Sequence, residues 1–211
     1  EVGVVSGILH SSGALYEIAS VAAARALGVA IVDAGAISYD APFLDGSLGG
    51  FRGVVGLNVT APMALVLRFA RAVRSRERGG IVVVGSLAGY VGQQEIGVYA
   101  AAKAFQRVFT ESLWLELQPF GIDVLHLVLG VTRTPAMERA GLLLNAPGLA
   151  VSDPDDVAAA GWAQLPHGPV HVVGETLAAA ERLTPFPPPP AVTGPAAMTR
   201  QLRPCRRPRP R

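Results

Sequence analysis

The chain has 211 residues, half of them apolar, and is therefore long enough to bury one sizeable hydrophobic core. Its only cysteine, Cys205, excludes an internal disulfide, and its four histidines lack the spacing of a metal site, so we expect a cytoplasmic protein without bound metal. The net charge of +2 conceals six arginines and no acidic residue in 186–211, which leave the remainder of the chain acidic.

Residues 186–211 differ from the rest of the chain in composition. Their run of four prolines and their Arg-Pro repeats cannot bury enough apolar surface to fold, so we predict a disordered tail after one domain of residues 1–185. The arginines of the tail are not interleaved with aromatic residues, which argues against nucleic-acid binding. No uninterrupted apolar run approaches the roughly 18 residues of a membrane-spanning helix, so no membrane association is expected.

Short β-branched runs alternate with helical patterns along the predicted domain. The first part predicts a strand at 2–7, a helix at 14–27, a strand at 29–35 and a helix at 61–76. Farther along, the pattern predicts strands at 81–84, 122–129 and 170–173, and helices at 98–118, 153–165 and 176–183. This alternation indicates an α/β fold with a doubly wound parallel sheet of the Rossmann type, whose ligands bind at the carboxyl ends of the strands.

Tyr99 and Lys103 stand four residues apart on a predicted helix and therefore lie on one face, about one turn apart. An ammonium close to a phenol stabilises the phenolate and lowers a pKa that is otherwise about 10, which makes tyrosine usable as an acid or base near neutral pH. Lys103 is the only lysine of the chain, which uses arginine for its other positive charges. A tyrosine packed at a helix start beside an exposed lysine is the alternative, but a single lysine at this spacing favours a working pair.

Ser86 stands thirteen residues before Tyr99 and shortly after the predicted strand at 81–84. It is therefore expected at the carboxyl edge of the sheet, where substrates bind, although a serine in a Gly-Ser turn is the simpler interpretation of this residue alone. Together, Ser86, Tyr99 and Lys103 resemble the active-site motif of the short-chain dehydrogenases/reductases.

The similarity to that family extends beyond these three residues, over about residues 18–183. The segments VVVGSLAGYVG and VYAAAKAF around the motif resemble the family, and so does Leu57-Asn58-Val59 farther upstream. The active-site motif is specific, whereas the motifs of the cofactor loops are weaker.

The resemblance implies four catalytic residues and a nicotinamide cofactor, either NAD or NADP. Tyr99 would exchange a proton with the substrate oxygen, and Ser86 would hold that oxygen by a hydrogen bond. Lys103 would lower the Tyr99 pKa and bind the nicotinamide ribose, so that both side chains contact the cofactor. Asn58 would anchor a water that links Lys103 to solvent. From the residues alone, Asn58 fits equally well as a helix N-cap, and both interpretations stay open.

The cofactor-binding set that the resemblance implies is matched in part. Gly130 and Thr134 follow a predicted strand and match two positions of the family's Pro-Gly-x-Val-x-Thr loop, which touches the nicotinamide carboxamide and the pyrophosphate, although a plain turn is an equal interpretation. Gly7 and Gly13 echo the family's glycine-rich turn only faintly, because Ser11 stands where the family has a glycine.

The N-terminal part of the predicted cofactor half is abbreviated. Only 25 residues separate Gly7 from Asp33, whereas two further strand-helix units would need about 40. The missing part would contain the charged residue that distinguishes NAD from NADP. The family's Asn-Asn-Ala-Gly stretch stands here as Val32-Asp33-Ala34-Gly35, which keeps Gly35 near the adenine side and loses both amides. We interpret Asp33 as a turn residue.

These observations predict an oxidoreductase that acts on an alcohol or a carbonyl compound. The apolar segments 87–96 and 136–152 indicate a hydrophobic small-molecule substrate. The alternative is a non-catalytic or truncated module for binding or assembly, in view of the abbreviated cofactor segment. A nucleotide-sugar epimerase or dehydratase is disfavoured, since no long substrate domain follows residue 135. The family commonly associates through helices equivalent to 61–76 and 98–118, so we expect a homodimer or homotetramer.

Overall fold

The computed structural model describes residues 28–33, 39–135, 137, 144–145, 149–174 and 180. Within these residues the centre is a four-stranded, fully parallel sheet, in which β1, β2 and β3 lie side by side and β6 pairs with β3. A separate pair of two-residue strands is also parallel. In chain order the strands are β1 (Val29–Val32), β2 (Gly79–Ser86), β3 (Ile122–Leu129), β4 (Val131–Thr132), β5 (Val151–Ser152) and β6 (Val170–Val172).

A continuous helical segment of 27 residues joins β1 to β2 and changes pitch in its middle. It begins after Ser47, whose side chain accepts a hydrogen bond from Gly50 N at 3.0 Å. The sequence pattern predicted only its second half, because four glycines within 49–56 obscure the helical pattern of the first. The segment consists of α1 (Leu48–Val55), a π-helical turn (Gly56–Thr60) and α2 (Ala61–Arg74).

This long helix is also strongly apolar, with a mean hydropathy of 1.5 over an 18-residue window. By length and composition alone, the segment could cross a membrane. The sequence did not indicate this, because its apolar runs are interrupted. One third of that window is buried within the fold, and Val66, Phe69 and Val73 pack in the core against the sheet. The second half of the segment, Ala61–Arg74, is therefore packed in the core.

The connection from β2 to β3 carries the next helix, α3 (Gly97–Leu117), which agrees with the prediction of 98–118 to within one residue at each end. A 3₁₀ turn, Leu87–Tyr90, precedes it and packs directly on it. A Cβ on Gly89 of this turn would lie 2.7 Å from the backbone carbon of Lys103. Only glycine therefore permits the turn to approach α3 this closely.

Helices cover both faces of the sheet, as predicted for a doubly wound fold. On one face, α2 and α3 pack against Val32, Ile81, Val83 and Val124. On the other face, α4 (Pro154–Gln164) contributes Val157 to a second core cluster. The N-cap of α4 is Asp153, as the capped helix predicted at 153–165 required, and its side chain accepts a hydrogen bond from Asp155 N at 2.9 Å.

Other predicted elements fall partly or wholly outside the described residues. The strand at 29–35 is found as β1, and the strand at 170–173 as β6, each shorter than predicted. The strand at 2–7, the helix at 14–27 and, apart from Ala180, the helix at 176–183 lie outside the described residues. The division into a domain of 1–185 and a tail of 186–211 stays a prediction.

Candidate active site

The carboxyl ends of β1 and β2 lie beside the start of α3, and each carries a polar residue. Ser86 is the last residue of β2, Asp33 directly follows β1, and Tyr99 occupies the first turn of α3. In a parallel sheet these ends share one edge, which is where ligands bind. The topology therefore assembles side chains that are far apart in the sequence.

Ser86 and Tyr99 are close enough for the serine to act on the phenol. A hydrogen bond from the serine hydroxyl favours the phenolate form of Tyr99 and so lowers its pKa. Ser86 also begins the 3₁₀ turn, since its Oγ accepts a hydrogen bond from Ala88 N at 3.2 Å. This turn contact orients the serine hydroxyl beside the tyrosine.

The pKa of Tyr99 is raised above its ordinary value of 10, so the expectation that Lys103 lowers it is wrong for this structure. Burial is the main cause, because it disfavours the charged phenolate. The hydrogen bond from Ser86 acts in the opposite direction, and the charge of Asp33 raises the pKa further. Lys103 Nζ lies 5.7 Å from the centre of the tyrosine ring and makes its hydrogen bonds elsewhere. Tyr99 is therefore a neutral phenol near neutral pH.

Lys103 is buried, with 4% of its surface exposed, so the alternative of an exposed lysine beside a packed tyrosine is wrong. Its Nζ donates hydrogen bonds to Val84 O at 3.2 Å and to Gln106 Oε1 at 3.0 Å. Burial lowers the pKa of Lys103 to about 8, and the negative charge of Asp33 partly offsets this effect. The amine therefore changes charge within about one pH unit of neutrality.

Asn58 lies in the π-helical turn between α1 and α2, where it is fully buried. It is not an N-cap, because the helix runs through it without interruption. Its Nδ2 donates to Val54 O at 2.9 Å, and its backbone oxygen accepts a hydrogen bond from Gln106 Nε2 at 2.7 Å. Asn58 is thus connected to Lys103 through the side chain of Gln106. π-Helical turns are often found at functional sites.

Two residues at the site were missed in the sequence. Asp33 was interpreted as a turn residue, yet its charge acts on both Tyr99 and Lys103. Its position directly after a strand of the parallel sheet was the available signal. Gln106 was not considered, although its spacing of three from Lys103 places both side chains on one face of α3.

The cofactor-binding residues are described only in part. Gly130 lies between β3 and β4, at the same edge of the sheet as Ser86. Thr134 begins a helical turn, where its Oγ1 accepts a hydrogen bond from Met137 N at 3.4 Å. Three predicted cofactor-binding glycines lie outside the described residues: Gly7, Gly13 and Gly35.

Comparison with known proteins supports these observations. Residues 14–142 match the model of a family described as short chain dehydrogenase. The matched segment includes Asn58, Ser86, Tyr99 and Lys103.

Two relatives are similar to parts of the chain. A 7beta-hydroxysteroid dehydrogenase of Collinsella aerofaciens is 32% identical over 95 residues, which cover 45% of this chain and 34% of that protein. A very-long-chain 3-oxoacyl-CoA reductase of Ajellomyces capsulatus is 28% identical over 131 residues, which cover 62% of this chain and 37% of that protein. The chain thus spans little more than a third of the length of these relatives.

Solved structures extend the similarity to the fold. A short-chain dehydrogenase from Sphingobium yanoikuyae in complex with NADPH matches with a TM-score of 0.72 and 25% identity, over 93% of this chain and 74% of that chain. A short chain dehydrogenase/reductase family protein matches with a TM-score of 0.70 and 26% identity, over 80% of this chain and 74% of that chain.

Proposed function

This chain belongs to the short chain dehydrogenase family, and we propose that it is part of an NAD(P)-dependent oxidoreductase that interconverts a carbonyl compound and an alcohol. The observation that carries this proposal is the placement of Ser86, at the carboxyl end of β2, beside the first turn of α3, where Tyr99 lies one helical turn before the buried amine of Lys103. Near neutral pH the three side chains supply a hydroxyl donor, a neutral phenol and a titrating amine.

The raised pKa of Tyr99 supports a role as proton donor. A neutral phenol can give its proton to a carbonyl oxygen as that oxygen gains negative charge during reduction. Ser86 would hold the same oxygen by a hydrogen bond, which strengthens as the charge develops and so favours the transition state over the ground state. The proton leaves the phenol and joins the oxygen, which completes an alcohol once the carbon has gained a hydride.

The donors at this edge of the sheet fit the nicotinamide end of such a cofactor. When bound, the nicotinamide would supply or accept the hydride. An ammonium has three N–H donors, and the described residues provide acceptors for two on Lys103, namely Val84 O and Gln106 Oε1. The third N–H would bind a ribose hydroxyl. Gly130 and the Thr134 hydroxyl, after β3, would contact the carboxamide side of the ring.

We further propose an apolar carbonyl substrate. The relatives are named for a hydroxysteroid and for a very-long-chain 3-oxoacyl-CoA, and both compounds place a carbonyl or hydroxyl group on a large apolar body. In this chain the turn that begins at Ser86 contains the apolar residues Leu87 and Ala88 and ends at Val91, which is also apolar. We also propose that the protein acts in the cytoplasm as a homo-oligomer.

Substitution of Tyr99 by Phe tests the proposed chemistry. This change removes the proton donor and keeps the ring, so we expect kcat for carbonyl reduction to fall by roughly 10²- to 10⁴-fold. Turnover would be measured by the absorbance of NADH or NADPH with steroid, long-chain acyl and small ketones. The matched control is Tyr90→Phe, which removes the hydroxyl of a tyrosine at the end of the neighbouring turn and should leave kcat within about twofold.

Cofactor binding provides the second measurement. A fluorescence titration of NADH and NADPH should saturate with the parent chain and with Tyr99→Phe alike. Unchanged turnover in Tyr99→Phe would contradict the assigned chemistry. The absence of any saturable signal would favour the alternative of a non-catalytic module.

A further inference from the structure

Gln106 connects Lys103 to Asn58, which lies 48 residues before Gln106 in the chain. Its Oε1 accepts a hydrogen bond from Lys103 Nζ at 3.0 Å, and its Nε2 donates one to the backbone oxygen of Asn58 at 2.7 Å. Only 1% of Gln106 is exposed. Hydrogen bonds in such a buried setting are electrostatically stronger than at the surface, and the loss of one partner is correspondingly costly.

The backbone oxygen of Asn58 is accessible to this amide because of the sequence that follows it. In a regular α-helix that oxygen would accept a hydrogen bond from residue 62, but residue 62 is proline and has no amide hydrogen. The side chain of Asn58 meanwhile donates to Val54 O and stabilises the π-helical turn. The irregular helix therefore presents a carbonyl oxygen to α3, and Gln106 binds it.

The bridge has a defined orientation. A backbone oxygen only accepts hydrogen bonds, so the NH₂ group of Gln106 must face Asn58 and its Oε1 must face the amine of Lys103. The reverse orientation would set N–H groups against the ammonium and two oxygens against each other. With Val84 O as the second acceptor, the amine is held from two sides at the end of β2.

We propose that Gln106 is a positioning residue, which fixes the Lys103 amine beside Tyr99 by a direct bridge to the π-helical turn. The family resemblance implies a water anchored by Asn58 in this connection, and here a side chain makes it. Because Gln106 lies one turn from Lys103 on α3, the bridge couples the amine to both helices. The inference rests on the proposed oxidoreductase function for its kinetic consequence, but the hold on Lys103 is measurable without turnover.

The test uses the single lysine of the chain as a probe. The full protein would be labelled with ¹³C at the lysine ε position, and the signal of Lys103 identified by its loss in Lys103→Arg. In the parent protein the signal should titrate near pH 8. Gln106→Met, of similar length but without hydrogen-bonding groups, should lower the Lys103 pKa, because the ammonium loses an acceptor. Gln106→Glu should raise it, because a carboxylate replaces the amide oxygen.

Opposite shifts in the two variants would separate positioning from a structural role, since simple loosening of the fold would move both in one direction. Because the amine would be displaced in Gln106→Met, we expect its kcat to fall roughly 10- to 100-fold. The alkaline limb of its pH profile should move to lower pH, together with the titration of the Lys103 signal. The matched control is Thr110→Val, one turn farther along α3. It removes a buried hydrogen bond to Gln106 O and should leave the Lys103 signal unchanged.

Three results would overturn the proposal: a Lys103 titration unchanged in Gln106→Met, an unchanged or lowered pKa in Gln106→Glu, or a Thr110→Val shift as large as those of the Gln106 variants. If Gln106→Met does not fold, the direction of the Gln106→Glu shift decides alone. A parent protein without turnover on any carbonyl compound would contradict the proposed function, whereas the titrations would still decide whether Gln106 holds the amine.

Discussion

At the scale of single residues, Asp33 affects the pKa of two side chains of the site, Tyr99 and Lys103. Its carboxylate follows β1 at the edge of the sheet and raises the pKa of both Tyr99 and Lys103. A negative charge disfavours a phenolate and favours an ammonium, so each side chain keeps its proton to a higher pH than it would without Asp33. For reduction of a carbonyl, which requires protonated Tyr99, this widens the active range on the alkaline side.

Substitution of Asp33 by Asn should therefore move the alkaline limb of kcat/KM for reduction to lower pH. Without the carboxylate, the pKa of Tyr99 and that of Lys103 both fall, so each proton is lost at a lower pH. The measurement is kcat/KM across the alkaline range, together with the titration of the Lys103 signal. Asp33→Glu keeps the charge and is the control, expected to lie close to the parent. An alkaline limb that stays in place, or moves to higher pH, would contradict this account.

At the scale of the elements, Gly85 of β2 has no side chain and so leaves room for the imidazole of His126 on β3. A Cβ on Gly85 would overlap the imidazole ring. His126 is fully buried, and among the described residues neither of its ring nitrogens has a hydrogen-bond partner. Burial, with the charges of Lys103 and Arg107, lowers the pKa of His126 to about 3, so the ring is neutral above that pH. Gly85 and His126 therefore fill one space between β2 and β3.

Substitution of Gly85 by Ala should overpack this space and lower the free energy of unfolding by about 1–3 kcal/mol. The measurement is urea denaturation at pH 7. His126→Val makes room for the added methyl group, so the double variant should lose less stability than the sum of the two single changes. Additive losses would show that the two side chains do not compete for one volume. A Gly85→Ala variant as stable as the parent would contradict the close contact itself.

At the scale of the whole molecule, the outer surface of the helices exposes large apolar side chains. Side chains on α2 and α3 are substantially exposed, with 49% of Leu67 and 54% of Val108 accessible. An apolar groove of about 890 Å³ lies between residues 41–45, α1 and α3, and does not include Ser86, Tyr99 or Lys103. Exposed apolar surface of this kind typically marks an interaction site. It supports the proposed homo-oligomer, through the helices that the sequence predicted.

Light scattering of the chain should therefore give a mass near two or four times 21.9 kDa. Leu67→Glu and Val108→Glu would bury a charge in the proposed interface, so each should shift the protein towards monomer. The control is Trp162→Glu on α4, which lies across the sheet and is 66% exposed. It should leave the mass unchanged. A parent chain that is monomeric throughout would contradict the proposal, and so would an equal effect of all three substitutions.

The sequence by itself determined the strands β1, β2, β3 and β6 and the positions of α2, α3 and α4. β-Branched runs and helical periodicity depend only on neighbours along the chain, and in this protein the buried faces follow them. The order of Ser86, Tyr99 and Lys103 also predicted where they lie, at the end of β2 and in the first two turns of α3, because a strand end and the helix after it share one edge of a parallel sheet. The first half of the long helix was not predicted, because its glycines obscure the helical pattern.

Only the tertiary structure decided the charges and the supports of the site. The raised pKa of Tyr99 depends on burial, which the spacing of two residues does not reveal. The effect of Asp33 and the bridge from Gln106 to Asn58 depend on distances between segments that are far apart in the sequence. Spacing along a helix determines which side chains share a face, whereas desolvation and hydrogen bonding depend on everything that packs around them.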